Sequence, residues 1–384
     1  MDILKKFKAL NLHSETNEEG DNEKTPFVVS ARLKLDDKTH LLGCSFNPYL
    51  DPNEEQILAC VGASYLHLFS LPKSSNVMTP LGACELSAKG EDLFTVTWCY
   101  DTYEHLKGSN PYKMVTGGLS GQIYIIDACT RELCNFKRMQ FAGGSINDLR
   151  TCPTDSNLVA CGSKDGTIRI FHIRNQDSLI TMGGLDGHVD QVLSMDWAGT
   201  GEYIVSCGFD HQIMKWDLTT DHVKKHLAAA CKVLESGEIN VLDQTTPLPD
   251  FDEVAEPAKL EQPTSVKLEN YQQNAEDVKV IKNITSFMRK PPGCFLPIYY
   301  PSAICSDMHV DYVDCVRMLG TGNYIFSKAC GRESSISLWR FGPPKGVVEK
   351  EPVPGVISTS VTRLANTFVP NGEAWFTKFE IDPS

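Results

Sequence analysis

The strongest constraint in this chain is a repeat of about 45 residues. Residues 188–218 read HVDQVLSMDWAGTGEYIVSCGFDHQIMKWDL, and residues 144–173 read GSINDLRTCPTDSNLVACGSKDGTIRIFHI. Each copy opens on a small residue or His and alternates apolar with polar. A short strand ending in small residues follows, then a turn containing Asp and a last strand closing on a bulky residue. Copies end at Phe69, Ile126, Phe171, Trp216 and Trp339, and a further strand is expected from Ala374-Trp375-Phe376. The two-residue alternation, broken by Gly, Asn and Asp, predicts small antiparallel sheets. A period of this length, each unit a four-stranded sheet, predicts an all-β WD40 propeller.

Composition narrows the function classes. The 384 residues carry 36 Lys and Arg against 49 Asp and Glu, a formal charge of −13. That balance disfavours a sequence-independent grip on nucleic acid, which needs many cations facing phosphates. With 41% apolar residues the chain has material for a substantial core. No apolar run reaches the roughly 18–20 residues of a membrane span. Residues 1–37 read as a flexible tail with no signal-peptide pattern, although Ile3, Leu4, Phe7 and Leu10 could form one stripe of a short docking helix. Fourteen cysteines occur without a C-x-x-C pair, which predicts a reducing compartment, no disulfide framework and no zinc site.

The period fails between Trp216 and His309. Residues 233–278 hold eleven Asp or Glu and two Lys, with Pro247, Pro249, Pro257 and Pro263 among them. The domain reading is therefore blades one to four over 38–218, a largely disordered acidic insertion over 219–307, and blade five with the start of a sixth over 308–384. A short helix is expected near 275–290 within the insertion.

Two constellations bear on chemistry. His188, Ser206 and Asp210 could be taken for a hydrolytic triad, but no sharp nucleophile elbow accompanies them. With Trp216 they read better as a structural relay, Asp to His to Ser to indole N–H, tying the strands of one blade together. Blade 309–341 keeps His309, Ser327 and Trp339 with Glu333 in place of the Asp, and blade 144–173 keeps only Asp165. Gly117-Gly118-Leu119-Ser120-Gly121 lacks the Lys-Ser/Thr of a phosphate loop and reads as a turn. Nothing in the sequence argues for catalysis, a metal or a cofactor.

Several stretches resemble one family of propellers, the extra sex combs / EED subunit of Polycomb repressive complex 2. They are His188 to Trp216, Tyr312-Val313-Asp314-Cys315-Val316-Arg317, Leu42-Gly43-Cys44-Ser45-Phe46-Asn47, Phe94-Thr95-Val96-Thr97-Trp98, and Ala374-Trp375-Phe376 before Phe379. They lie in the right order over roughly residues 40 to 380, and their divergence suggests a nematode-like member. The resemblance implies seven blades, so the last one to two are expected to be missing, leaving a shortened and poorly soluble chain. It implies a non-catalytic nuclear scaffold for an Enhancer-of-zeste type SET-domain methyltransferase acting on histone H3 lysine-27, alongside other Polycomb subunits. It also implies an aromatic cage for trimethylated lysine on the histone H3 tail, promoting transcriptional repression. Carried over by alignment, the cage positions are Leu42, Phe94, Trp375 and Phe376. No membrane attachment and no sequence-specific DNA binding are implied. The competing readings are a generic WD40 scaffold, such as a ubiquitin-ligase adaptor or G-protein β-like subunit, and an enzyme on a propeller.

Overall fold

The computed structural model describes residues 40–53, 55–72, 78–86, 90–131, 133–138, 144–175, 177–184, 186–235, 296–320, 323–331, 335–343, 357–368 and 378–380. Their strands form five sheets, each one blade of a propeller and antiparallel except for one strand added to blade three. Blade one is β1 (Gly43–Phe46), β2 (Gln56–Gly62), β3 (Tyr65–Leu71) and β4 (Thr79–Glu85). Blade two is β5 (Leu93–Tyr100), β6 (Tyr112–Gly118), β7 (Gln122–Asp127) and β8 (Leu133–Arg138). Blade three is β9 (Ile146–Thr151), β10 (Leu158–Ser163), β11 (Ile168–His172) and β12 (Ser178–Met182), and blade four opens with β13 (Val192–Trp197), β14 (Tyr203–Gly208) and β15 (Ile213–Asp217). Blade five is β18 (Val313–Leu319), β19 (Tyr324–Ala329), β20 (Ser335–Phe341) and β21 (Val361–Phe368).

The core lies between blades, so the middle strands are covered on both faces. That is why β10 and β14 read as continuous apolar or small runs rather than alternating ones. One cluster joins blades three and four through Ile170, Met195, Trp197, Met214 and Trp216. Another joins blades four and five through Val205, Ile213, Val316 and Trp339. Leu66, Leu93, Trp98 and Met114 fill the seam of blades one and two, and Val115, Ile123, Leu149 and Phe171 that of blades two and three. The residues that mark the repeat, Phe69, Ile126, Phe171, Trp216 and Trp339, all lie on the third strand of their blade. In four blades the pairing with the fourth strand slips one residue just before that position. Gly118 ends β6 where a Cβ would stand 1.9 Å from the Asp92 carbonyl oxygen, so only glycine lets the strands meet there.

The reading of residues 219–307 as one largely disordered insertion needs correction at both ends. Helix α2 (Asp221–Glu235), the second after α1 (Thr102–Leu106), follows directly on blade four. Val223, Leu227, Ala230 and Cys231 lay one stripe of α2 on the cluster of blades three and four. His226 Nε2 donates to the Leu179 carbonyl at 3.0 Å, and burial lowers its pKa, favouring the neutral ring. At the other end, β16 (Leu296–Ile298) adds to blade three as a fifth strand parallel to β12, and β17 (Ala303–Cys305) completes blade four against β15. Blade four therefore runs past residue 218 and closes only after the interruption. Residues 1–39 and 236–295, with the tail and the expected 275–290 helix, lie outside the described residues, as do Glu333 and the expected strand at 374–376.

Candidate functional site

The first strands of successive blades pack against one another around the central channel, β1 on β5, β5 on β9, β9 on β13 and β13 on β18, and four of them share an irregularity at their start. In blades two to five one extra residue interrupts the pairing with the second strand: Phe94, Asn147, Leu193 and Asp314. In blade one the Leu42 N–H bonds the Val61 carbonyl at 2.8 Å while Gly43 holds the register with Val61, which gives Leu42 the same place. Such a bulge re-aims a side chain at the end of a strand. The structure thus brings Leu42 and Phe94 to equivalent positions on adjacent blades. Gly43 is the contact between them: a Cβ there would lie 2.7 Å from the Phe94 carbonyl oxygen. Leu42 is 48% exposed and Phe94 is half-buried. Trp375 and Phe376 lie outside the described residues.

Residues 378–380, close behind them in sequence, enter the channel at the same level. Lys378 Nζ donates to the carbonyls of Asn147 and Leu193, the extra residues of blades three and four, at 3.2 and 3.1 Å. It also lies 3.4 Å from Asp148 Oδ1. Glu380 Oε2 accepts from Arg150 Nη1 at 2.9 Å and Arg317 Nε at 3.1 Å. Asp148 Oδ2 accepts from Ser194 Oγ and the Met195 N–H, and Ser194 Oγ also accepts from Arg317 Nη1. Three blades are cross-tied by this network. On the strands, Asp148, Arg150 and Arg317 are single charges in stretches otherwise read for apolar periodicity, and Lys378 and Glu380 lie outside any strand, so no sequence pattern marks the group.

Asp196 sits beside that network, accepting from the N–H groups of Trp197 and Met318 at 3.0 and 2.8 Å. Burial outweighs the nearby Arg150 and raises its pKa to about 7. The folded state therefore holds a proton there that the unfolded chain releases near pH 4, so this group's contribution falls as pH rises from about 4 to 7. Asp196→Asn is expected to flatten that decline in urea unfolding followed across the interval. An unchanged slope would contradict the assignment.

The relay residues meet within one blade. His188 Nδ1 is 2.8 Å from Asp210 Oδ2, His188 Nε2 is 2.8 Å from Ser206 Oγ, and Trp216 Nε1 donates to Ser206 Oγ at 2.9 Å. The donors form one consistent series when the His proton is on Nδ1 and the Ser hydroxyl donates to Nε2. Ser206 is 0% exposed, so its hydroxyl is closed to any substrate. Burial alone would raise the Asp210 pKa, but its bond to His188 and those to the Gln212 and Val189 N–H groups hold it below the usual carboxylate value. In blade five His309 and Trp339 converge on Ser327 at 2.7 and 2.9 Å. Blade two uses another set, with Glu91 accepting from the hydroxyls of Ser120 and Tyr124. In blade three Asp165 pairs with Thr167 and Arg169.

The WD domain, G-beta repeat family model matches residues 137–172 and 179–217. The chain is 45% identical to the Polycomb protein mes-6 of Caenorhabditis elegans, covering 100% of this chain and 83% of the relative. It is 25% identical to the Polycomb protein esc of Drosophila melanogaster, over 93% of this chain and 68% of that one. A chain of the Chaetomium thermophilum Polycomb Repressive Complex 2 bound to GSK126 matches with a TM-score of 0.60 at 22% identity. That match covers 91% of this chain and 65% of the other, and at such identity it speaks for the fold. The five blades and the identity to mes-6 over the whole length agree, and the chain belongs to the extra sex combs / EED family of Polycomb WD40 proteins.

Proposed function

We propose that this chain is the non-catalytic WD40 scaffold of a Polycomb-type histone H3 lysine-27 methyltransferase complex. In this reading it acts in the nucleus with other Polycomb subunits and holds an Enhancer-of-zeste type SET-domain subunit. It also binds trimethylated lysine of the histone H3 tail through Phe94, Trp375, Phe376 and Leu42, promoting repression. The observation that carries the proposal is the equivalent placement of Leu42 and Phe94 on adjacent blades at the channel rim. A trimethylammonium donates no hydrogen bond and is held by aromatic faces, whose quadrupoles attract the cation. Leu42 contributes an apolar wall without that quadrupole.

Association with the methyltransferase is expected to rest on a helix laid in an apolar groove, and so to depend weakly on salt. The test is co-expression of the two proteins followed by washing in high salt. The methyltransferase should be retained, and deleting residues 236–278 should leave retention intact. Release at moderate salt, or no co-purification at all, would overturn the scaffold reading.

A further inference from the structure

Cys44 and Cys60 face each other across the first two strands of blade one. The register pairs them directly, between the pairs Gly43–Val61 and Ser45–Ala59. The Asn47 N–H donates to the Ile57 carbonyl in the same register, so positions 43, 45 and 47 are the hydrogen-bonded ones. Position 44 therefore belongs to a non-hydrogen-bonded pair, since the two kinds alternate along an antiparallel ladder. Such pairs bring Cα atoms to about 4.5 Å with both side chains on one face. Disulfides span Cα separations of about 4.4–6.8 Å, so this pair can close without moving a strand.

Access also favours this pair. Cys44 is exposed and Cys60 is buried beneath it at 5% exposure. Cys207, on the seam of blades four and five, and Cys315, whose Sγ reaches the Phe379 carbonyl, are each 0% exposed and out of reach of a solute. His67 stands opposite Cys60 on β3, on the same face of the sheet, and offers an imidazole beside the buried thiol.

We propose that Cys44 and Cys60 form a reversible disulfide when the chain meets hydrogen peroxide, a modification that ties β1 to β2 two residues from Leu42. The Cys44 thiolate attacks one peroxide oxygen: an S–O bond forms, the O–O bond breaks, and hydroxide leaves to be protonated to water. The Cys60 sulfur then attacks the Cys44 sulfenic sulfur. The S–S bond forms, the S–O bond breaks, and hydroxide leaves with the Cys60 proton as a second water. Two thiols lose two electrons in all and the peroxide gains them. Partial desolvation of the thiol group, with the Glu380 carboxylate nearby, pushes Cys44 up, and burial pushes Cys60 to about 12, so thiolate is scarce at neutral pH and the bond forms slowly.

The test is incubation of the full chain with hydrogen peroxide at about pH 7 and about pH 9, then alkylation, digestion without reductant and mass spectrometry. The expected product is a peptide pair joined through Cys44 and Cys60, separated again by dithiothreitol and formed about fifty- to a hundredfold faster at the higher pH, as the thiolate fraction rises. It should be absent from Cys44→Ser, and Cys60→Ala reads the same loss from the other partner. Cys129, the other cysteine that is exposed among the described residues, is the control for oxidation by exposure alone. Recovery of Cys44 and Cys60 in separate peptides, with Cys44 carried on to the sulfinic acid, would overturn the proposal. So would joining of Cys44 to Cys60 no more often than to Cys129.

Discussion

Trp216→Ala is expected to destabilise the chain by about 3–5 kcal/mol, the cost of removing a large buried aromatic and leaving part of its volume empty. Trp216 is 0% exposed within the cluster of blades three and four, so its loss strips contacts from both. It also removes the N–H that Ser206 accepts, leaving a buried hydroxyl one partner short beside His188 and Asp210. Trp216→Phe separates the two effects. Phenylalanine stands at the corresponding position of blade three, where Phe171 is 0% exposed. That variant should lose mainly the hydrogen bond, about 1 kcal/mol. Urea unfolding of the three proteins provides the measurement. Equal losses for Phe and Ala would mean that the relay, not the packing, dominates, and a loss below about 1 kcal/mol for Ala would contradict the packing account.

Much of this architecture is legible in the sequence because the repeat is a packing requirement written once per blade. Ile126, Phe171, Trp216 and Trp339 recur because each third strand fills an inter-blade seam with one bulky group, and Phe69 is buried at the same position of blade one. The relay is legible for a similar reason: His, Ser, Asp and Trp at fixed spacing have few uses on three paired strands. Helix α2 was hidden by its neighbourhood. Val223, Leu227, Ala230 and Cys231 show helical spacing, but the stretch adjoins an acidic run and reads with it. Strands β16 and β17 are three residues each, too short for a periodic signal, and their partners β12 and β15 precede the interruption. The channel network stayed hidden for another reason. Asp148, Arg150, Arg317, Lys378 and Glu380 come from three separate stretches that only the packing of blades three to five brings together.

The rim position shows where sequence and structure meet. Alignment alone points to Leu42 and Phe94, while the pairing supplies the physical reason they match: both are residues displaced at the start of a channel-lining strand. Asn147, Leu193 and Asp314 occupy the same place in the other blades and are not aromatic. Aromatic character is therefore no general requirement of the bulge, and at Phe94 it calls for a separate explanation such as ligand binding.

The central claim is that this rim reads a methylated lysine, and the direct measurement is titration of the purified chain with histone H3 tail peptides, trimethylated and unmethylated. The trimethylated peptide is expected to bind more tightly. Each desolvated cation–π wall contributes roughly 0.5–2 kcal/mol, so Phe94→Ala should reduce the preference by about two- to thirtyfold. Trp375→Ala should remove it, and Leu42→Phe should enlarge it by adding the aromatic face that this chain lacks. Equal affinity of the unmutated chain for both peptides would contradict the account.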